Sequence, residues 1–268
     1  MEDPESTVES LAGRLATLEA KHEALSGLLQ PAFWTLLDRV YARLGPENPP
    51  RCLACDAPGP FTLRHDQCVF GGGALERLEC PDCGCVFGPL KYLELPSQLI
   101  EADYKLLYQS YKEGDSTEHE LRAFRALDPK PGGLYLNWGS GAWSTSVERL
   151  RAEGFDVWGY EPYAQSSGRY IVKSRGEVSA KFDGIFSNNV IEHLIDPAGQ
   201  FADFSQVLKP GGLMAHASPC YDWRYTFTRF HVFFPMGAAP ERLADRTGFR
   251  VVGRENDGDY RVRVFESV

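Results

Sequence analysis

Four cysteines in two Cys-x-x-Cys pairs constrain this chain more than any other feature. Cys52-Leu-Ala-Cys55 is followed, after 24 residues, by Cys80-Pro-Asp-Cys83-Gly. Each short knuckle turns so that its two thiols converge. Two knuckles at this separation supply four thiolates to a tetrahedral Zn²⁺. Gly84 permits the tight turn after the second pair. The N-terminal MEDPESTVES is acidic and lacks the apolar core of an export signal. The expected location is therefore the cytoplasm, where the seven cysteines stay reduced and metal is favoured over disulfides. Four sulfur ligands leave no open coordination position, so this zinc is expected to be structural. It would fold a zinc-ribbon module over 51–95, a segment too small to build its own core. Cys68 and Cys85 are spare and read as small buried side chains.

Ahead of this module lies a helical pattern. Val8, Leu11, Leu15, Leu18, His22, Leu25 and Leu29 recur in alternating steps of three and four, an a/d seam of about three heptads. Residues 1–30 are predicted to form a coiled-coil helix that pairs with further copies of the chain; the alternative is an amphipathic helix packed on its own body. Leu28 thickens the stripe, and His22 falls at an a position, where it would help set register. Pro31 is expected to close or restart the helix. A second helix to Leu44 and the linker GPENPPR make up 31–50. No run approaches the roughly 20 apolar residues of a membrane span.

The remaining residues, 96–268, are predicted to form one α/β domain. A helical stretch carries Tyr104, Tyr108 and Tyr111, and DPKPGG ends it. GLYLNW then reads as a buried strand, followed by the glycine turn Gly139-Ser140-Gly141 and a helix. Such turns let the backbone approach a ligand closely. The next strand, FDVWGYE, ends in Glu161, twenty residues after Gly141. An acid there accepts hydrogen bonds from both hydroxyls of an adenosine ribose. A dinucleotide fingerprint would want a third glycine at position 144, where Ser144 stands.

From about residue 130 onward the chain resembles the class I S-adenosylmethionine (SAM)-dependent methyltransferases. The resemblance rests on Leu136-Asn-Trp-Gly-Ser-Gly141 and Glu161. It rests also on Phe182-Asp183 with Ile191-Glu-His193 and Asp196-Pro197, and on Leu208-Lys-Pro-Gly-Gly212 before the strand LMAHAS. GFRVVGRE and YRVRVFES fit the antiparallel strands that close such sheets. The resemblance implies a doubly wound, Rossmann-like seven-stranded sheet of order 3-2-1-4-5-7-6, with an abbreviated third strand. It implies SAM as cofactor, held by Asn137, Gly139, Ser140, Gly141, Trp143, Glu161, Asn188 and Asn189. Asn137 stands where the first motif usually has an acid, and Trp143 where it has a third glycine. The cysteine module is similar to segments preceding some methyltransferases of sugar and glycan biosynthesis.

Methyl transfer from a sulfonium needs an aligned nucleophile and, for a hydroxyl, a group that removes its proton. Ligands of open α/β sheets lie beyond the carboxyl ends of the strands. His231 and His193 are therefore the candidate bases, with His231 preferred. His216, Tyr221 and Arg229 are candidate acceptor contacts, Arg229 for a phosphate or carboxylate. In related sugar C-methyltransferases a Glu-His pair occupies the place of Phe230-His231; the missing acid argues against carbon as the acceptor atom. In a quinone O-methyltransferase group, acids at two loop positions hold a divalent metal with the histidine; Asn189 replaces the first, which weakens that resemblance and leaves open whether a divalent metal assists catalysis here. The expected function is methylation of a hydroxyl on a sugar, nucleotide sugar or growing glycan. An RNA methyltransferase and a non-catalytic scaffold are the alternatives. The net charge of −9 and the excess of acids within 51–95 weigh against nucleic acid.

Overall fold

The computed structural model describes residues 4–110, 114–141, 144–163 and 168–268. Side chains 4–12, 19, 22, 23, 26–28, 30 and 108–110 are not described. Trp143, Tyr111 and the side chains of Val8, Leu11, His22, Leu28 and Tyr108 thus lie outside the described residues.

The chain opens with one helix, α1 (Pro4–Leu44), which runs through Pro31. The expected break at Pro31 does not occur. Proline removes one helical donor at a cost of about 3 kcal/mol, but the turns after it are anchored on the body. Trp34 is buried and stacks on Tyr92, with ring centroids 6.0 Å apart. Lys91 bonds Asp38, and the Tyr41 hydroxyl reaches the Leu90 carbonyl at 3.3 Å. Leu15, Leu18, Leu25, Leu29, Phe33, Leu36 and Val40 stay exposed.

The cysteine segment folds as three antiparallel strands, β1 (Thr62–Gln67), β2 (Ala74–Glu79) and β3 (Val86–Phe87). Helices α2 (Leu90–Leu93), α3 (Ser97–Ser110) and α4 (Thr117–Arg125) lead to the α/β part. There follow β4 (Leu134–Trp138), α5 (Ser146–Ala152), β5 (Asp156–Tyr160), β6 (Ile171–Val172), β7 (Phe182–Asn188), α6 (Pro197–Val207) and β8 (Leu208–Ala217). After β9 (Phe233–Phe234) and α7 (Ala239–Thr247) come β10 (Phe249–Asp257) and β11 (Tyr260–Ser267).

The large sheet has the order β6-β5-β4-β7-β8-β11-β10. Strands β6 through β8 are parallel, and β11 pairs antiparallel with both β8 and β10. In chain order of this domain that is 3-2-1-4-5-7-6, and the third strand has only two residues. β7 is buried along nearly its whole length, as in a sheet covered on both faces. One core joins the sheet to α6 and α7 through Phe201, Phe204, Leu243 and Phe265. The other joins it to α4 and α5 through Phe124, Val147 and Phe186.

The division at residue 95 is not a division of the fold. β9 pairs with β3, so the small sheet has four strands, β1-β2-β3-β9, and its last strand comes from the α/β part.

Candidate active site

The glycine turn follows β4, the central strand. Gly139 and Gly141 have φ of +73° and +64°, which non-glycine residues rarely adopt. Gly139 N–H donates to the Tyr160 carbonyl at 2.8 Å, binding the turn to β5. A Cβ at Gly139 would lie 2.6 Å from Val190, whereas one at Gly141 would meet nothing within 4 Å. Glu161 closes β5 and is buried. Its two carboxylate oxygens each accept a main-chain N–H, from Gly141 and from Tyr163, both at 2.9 Å. The turn and the acid are thus locked together. Asn188, at the end of β7, is buried with its side-chain amide unbonded among the described residues. A buried donor without a partner fits a polar ligand over the turn. Asn189 is exposed, with φ +54°. Ser140 is buried under the turn.

Asn137 is fully buried. Its amide donates to Glu120 of α4, a buried carboxylate that also accepts from Ser144 at 2.7 Å, and from Ser116 and Ser146. Burial raises the pKa of Glu120 against these hydrogen bonds. An acid beneath the turn is present after all, supplied by another element. No local sequence signal marks it.

The two candidate bases come from two segments. Glu192 and His193 lie in the short 3-10 turn after β7, and His231 lies in the segment before β9. The two imidazoles meet edge to face, with centroids 4.9 Å apart. His193 Nδ1 lies 2.9 Å from the Phe230 carbonyl and 2.7 Å from the Tyr104 hydroxyl. His231 Nδ1 lies 2.9 Å from the Tyr225 carbonyl. Burial lowers the pKa of His193 to about 4 and pulls His231 well below the usual range, so both rings are neutral at physiological pH. Tyr104 stacks on Tyr163, centroids 6.4 Å apart, which links this pair to the Glu161 end of the turn. Tyr104 was one of a helical tyrosine series, with nothing in the spacing to single it out.

The three residues expected to contact the acceptor are buried and already partnered. Arg229 is buried and grips Asp103 of α3 with two hydrogen bonds, at 2.6 and 2.7 Å. Its Nη1 donates to the carbonyls of Phe70 and Gly71 at 2.9 and 2.8 Å, so it ties the α/β part to the cysteine segment. His216 is 2% exposed, stacks on Phe204 and bonds Ser187 Oγ at 2.8 Å. Burial lowers its pKa to about 3. Tyr221 is buried beneath the Arg263 guanidinium, 4.6 Å from the ring centre. Each is a core residue because its strand or turn faces inward at that register.

Cys52, Cys55, Cys80 and Cys83 converge, with all four sulfurs within 4.8 Å of one another. Cys52 and Cys83, and Cys55 and Cys80, are 3.6 Å apart. Zn–S bonds of about 2.3 Å in a tetrahedron separate sulfurs by about 3.8 Å, so the set fits that ion. Hydrogen bonds from the thiols of Cys83 and Cys85 hold the Cys52 thiol far below its ordinary range, and the bond to Cys52 raises Cys83.

A parallel sheet closed by an antiparallel hairpin, with a glycine turn after its central strand and an acid ending the next, defines a Rossmann-like methyltransferase fold. The methyltransferase-domain family matches residues 119–253, half of the chain, and the chain belongs to that family. The Burkholderia thailandensis 1,6-didemethyltoxoflavin N1-methyltransferase, solved with 1,6-didemethyltoxoflavin and S-adenosylhomocysteine, shares the fold. Its TM-score is 0.51 at 15% identity, over 73% of this chain and 95% of its own. The magnesium protoporphyrin IX methyltransferase of Synechocystis, with bound S-adenosylhomocysteine, gives 0.46 at 11% identity, over 65% and 100%. A SAM-dependent methyltransferase of Mesorhizobium loti gives 0.40 at 17%, over 55% and 97%. No curated protein matches the chain.

Proposed function

We propose that this protein transfers the methyl group of SAM to a hydroxyl of a sugar, nucleotide sugar or growing glycan. The observation that carries the SAM reading is Glu161, buried at the end of β5 and bound to the main chain of the glycine turn. SAM supplies an activated methyl on a sulfonium. The turn brings main-chain atoms against the ligand, and Glu161 receives the ribose hydroxyls. Asn188 offers its amide to the same ligand. In this reading neutral His193 or His231 takes the proton of the acceptor hydroxyl. The sugar class follows the resemblance of the cysteine module, and the net charge of −9 favours it over nucleic acid.

In this reading Cys52, Cys55, Cys80 and Cys83 hold a structural zinc. The exposed stripe of α1 pairs with a second copy of the chain.

The test is calorimetry with SAM and S-adenosylhomocysteine. Glu161→Ala should weaken both by about 1.5–3 kcal/mol, the scale of a charged hydrogen-bonding partner. Unchanged affinity would place the ligand elsewhere. Methyl transfer to nucleotide sugars, followed by mass spectrometry, then tests the acceptor class.

A further inference from the structure

We propose that Glu192, His193 and His231 form a binding site for a divalent transition-metal cation, distinct from the four-cysteine cluster. The proposal rests on the acceptor side of the methyl-transfer reading. Residues 192 and 193 alone offer too few ligands, and Asn189 is not an acid. The fold supplies the third donor from 38 residues further along the chain.

The ligating atoms of the three side chains lie within 4.8 Å of one another. Bonds of about 2.1 Å hold ligand atoms about 3–4 Å apart, so small rotamer adjustments close the set on an ion. The tautomers suit it. A carbonyl oxygen can only accept, so His231 Nδ1 carries its proton toward Tyr225, and His193 Nδ1 carries its proton toward Phe230, with the Tyr104 hydroxyl oxygen accepting beside it. Each Nε2 is then left with a lone pair. Metal-binding histidines are held in this way, with the second ring nitrogen donating to a carbonyl.

The frame is also braced in advance. Val232 N–H donates to the Glu192 carbonyl at 2.8 Å, and with the His193–Phe230 bond this fastens the two segments on both sides of the cluster. Glu192 is fully buried, while both histidines are partly exposed, which leaves coordination positions for an outside oxygen. Two imidazoles and one carboxylate suit Mn²⁺, Fe²⁺, Co²⁺ or Zn²⁺ over Mg²⁺ or Ca²⁺. An acceptor hydroxyl bound as a further ligand becomes more acidic. With both imidazoles bound to the cation neither serves as the base: the proton leaves to solvent as the oxygen–methyl bond forms and the sulfur–methyl bond breaks, leaving neutral S-adenosylhomocysteine.

The experiment is a titration of the full-length protein, its cysteine cluster loaded with zinc, with Mn²⁺ followed by electron paramagnetic resonance. Mn²⁺ prefers nitrogen and oxygen donors and does not displace zinc from four thiolates. One Mn²⁺ per chain is expected. His231→Gln and Glu192→Gln should each weaken it at least about tenfold, and Cys220→Ser, beside His231, should leave it unchanged. If Glu192→Gln does not fold, the partly exposed His231→Gln carries the test. Absence of bound Mn²⁺ in the wild type, or binding that survives His231→Gln, overturns the proposal. SAM titrations on the same samples keep the two readings separable: SAM bound without Mn²⁺ removes the metal site alone, and Mn²⁺ bound without SAM removes the methyl-transfer reading alone.

Discussion

At the scale of single residues, the substitution of Asn137 for the usual motif acid is balanced by Glu120, which holds Asn137, Ser144 and Ser146 together below the glycine turn. Glu120→Ala would strand several buried donors. It should cost about 1–3 kcal/mol in urea unfolding and weaken SAM binding through a loosened turn; full stability would mean that water or another side chain replaces the carboxylate. His216 makes a separate prediction. Its pKa is near 6.5 when unfolded and about 3 when folded, so the unfolded chain binds the proton first. Its contribution to stability is present above pH 6.5 and is lost as pH falls toward 3, at up to about 1.4 kcal/mol per pH unit. His216→Asn should flatten the fall in stability between pH 6 and 4.5; an unaltered slope would assign it to other groups. The glycine turn and Glu161 were legible because their chemistry is local or regularly spaced. Glu120, Tyr104 and the burial of Arg229 were not, since each depends on a partner from a distant segment.

At the scale of elements, strand order and the short third strand could be read from motif order, because parallel crossovers admit few topologies. The course of α1 could not. Proline is a strong local signal against a continuing helix, and the contacts of Trp34 and Asp38 with α2 that carry it through are tertiary. The continuous helix of 41 residues is about 60 Å long, and its exposed stripe reaches past Pro31 to Val40. It turns away from the face that holds Trp34. A second copy is the occupant proposed for it. Leu15→Asp with Leu18→Asp puts charge into that seam and should reduce the mass seen by light scattering while SAM binding is kept. Identical mass would mean that the stripe does not pair copies of this chain.

At the scale of the whole molecule, the cysteine segment and residues 224–238 are one built unit. Arg77 of β2 is buried and donates to the carbonyls of Thr226, Thr228 and His231 at 2.8, 2.7 and 3.1 Å. Gly88 N–H reaches the Val232 carbonyl at 2.9 Å, and Ala238 N–H reaches that of Cys83 at 2.8 Å. If the cluster holds the zinc proposed for it, Cys83→Ser should lose that zinc and also raise amide hydrogen exchange over 224–238, with the glycine turn little affected; Cys85→Ser should keep the metal. Exchange confined to 51–95 would show the two segments to be independent. The shared strand β9 carries a consequence for how such a protein can be divided or recombined. The cysteine module is not a cassette that can be exchanged for another domain at residue 95. A fragment cut there would leave β9 as an open strand edge, prone to pair with other chains, and would leave Arg229 without the carbonyls of Phe70 and Gly71. The two halves must therefore be inherited, expressed and engineered together.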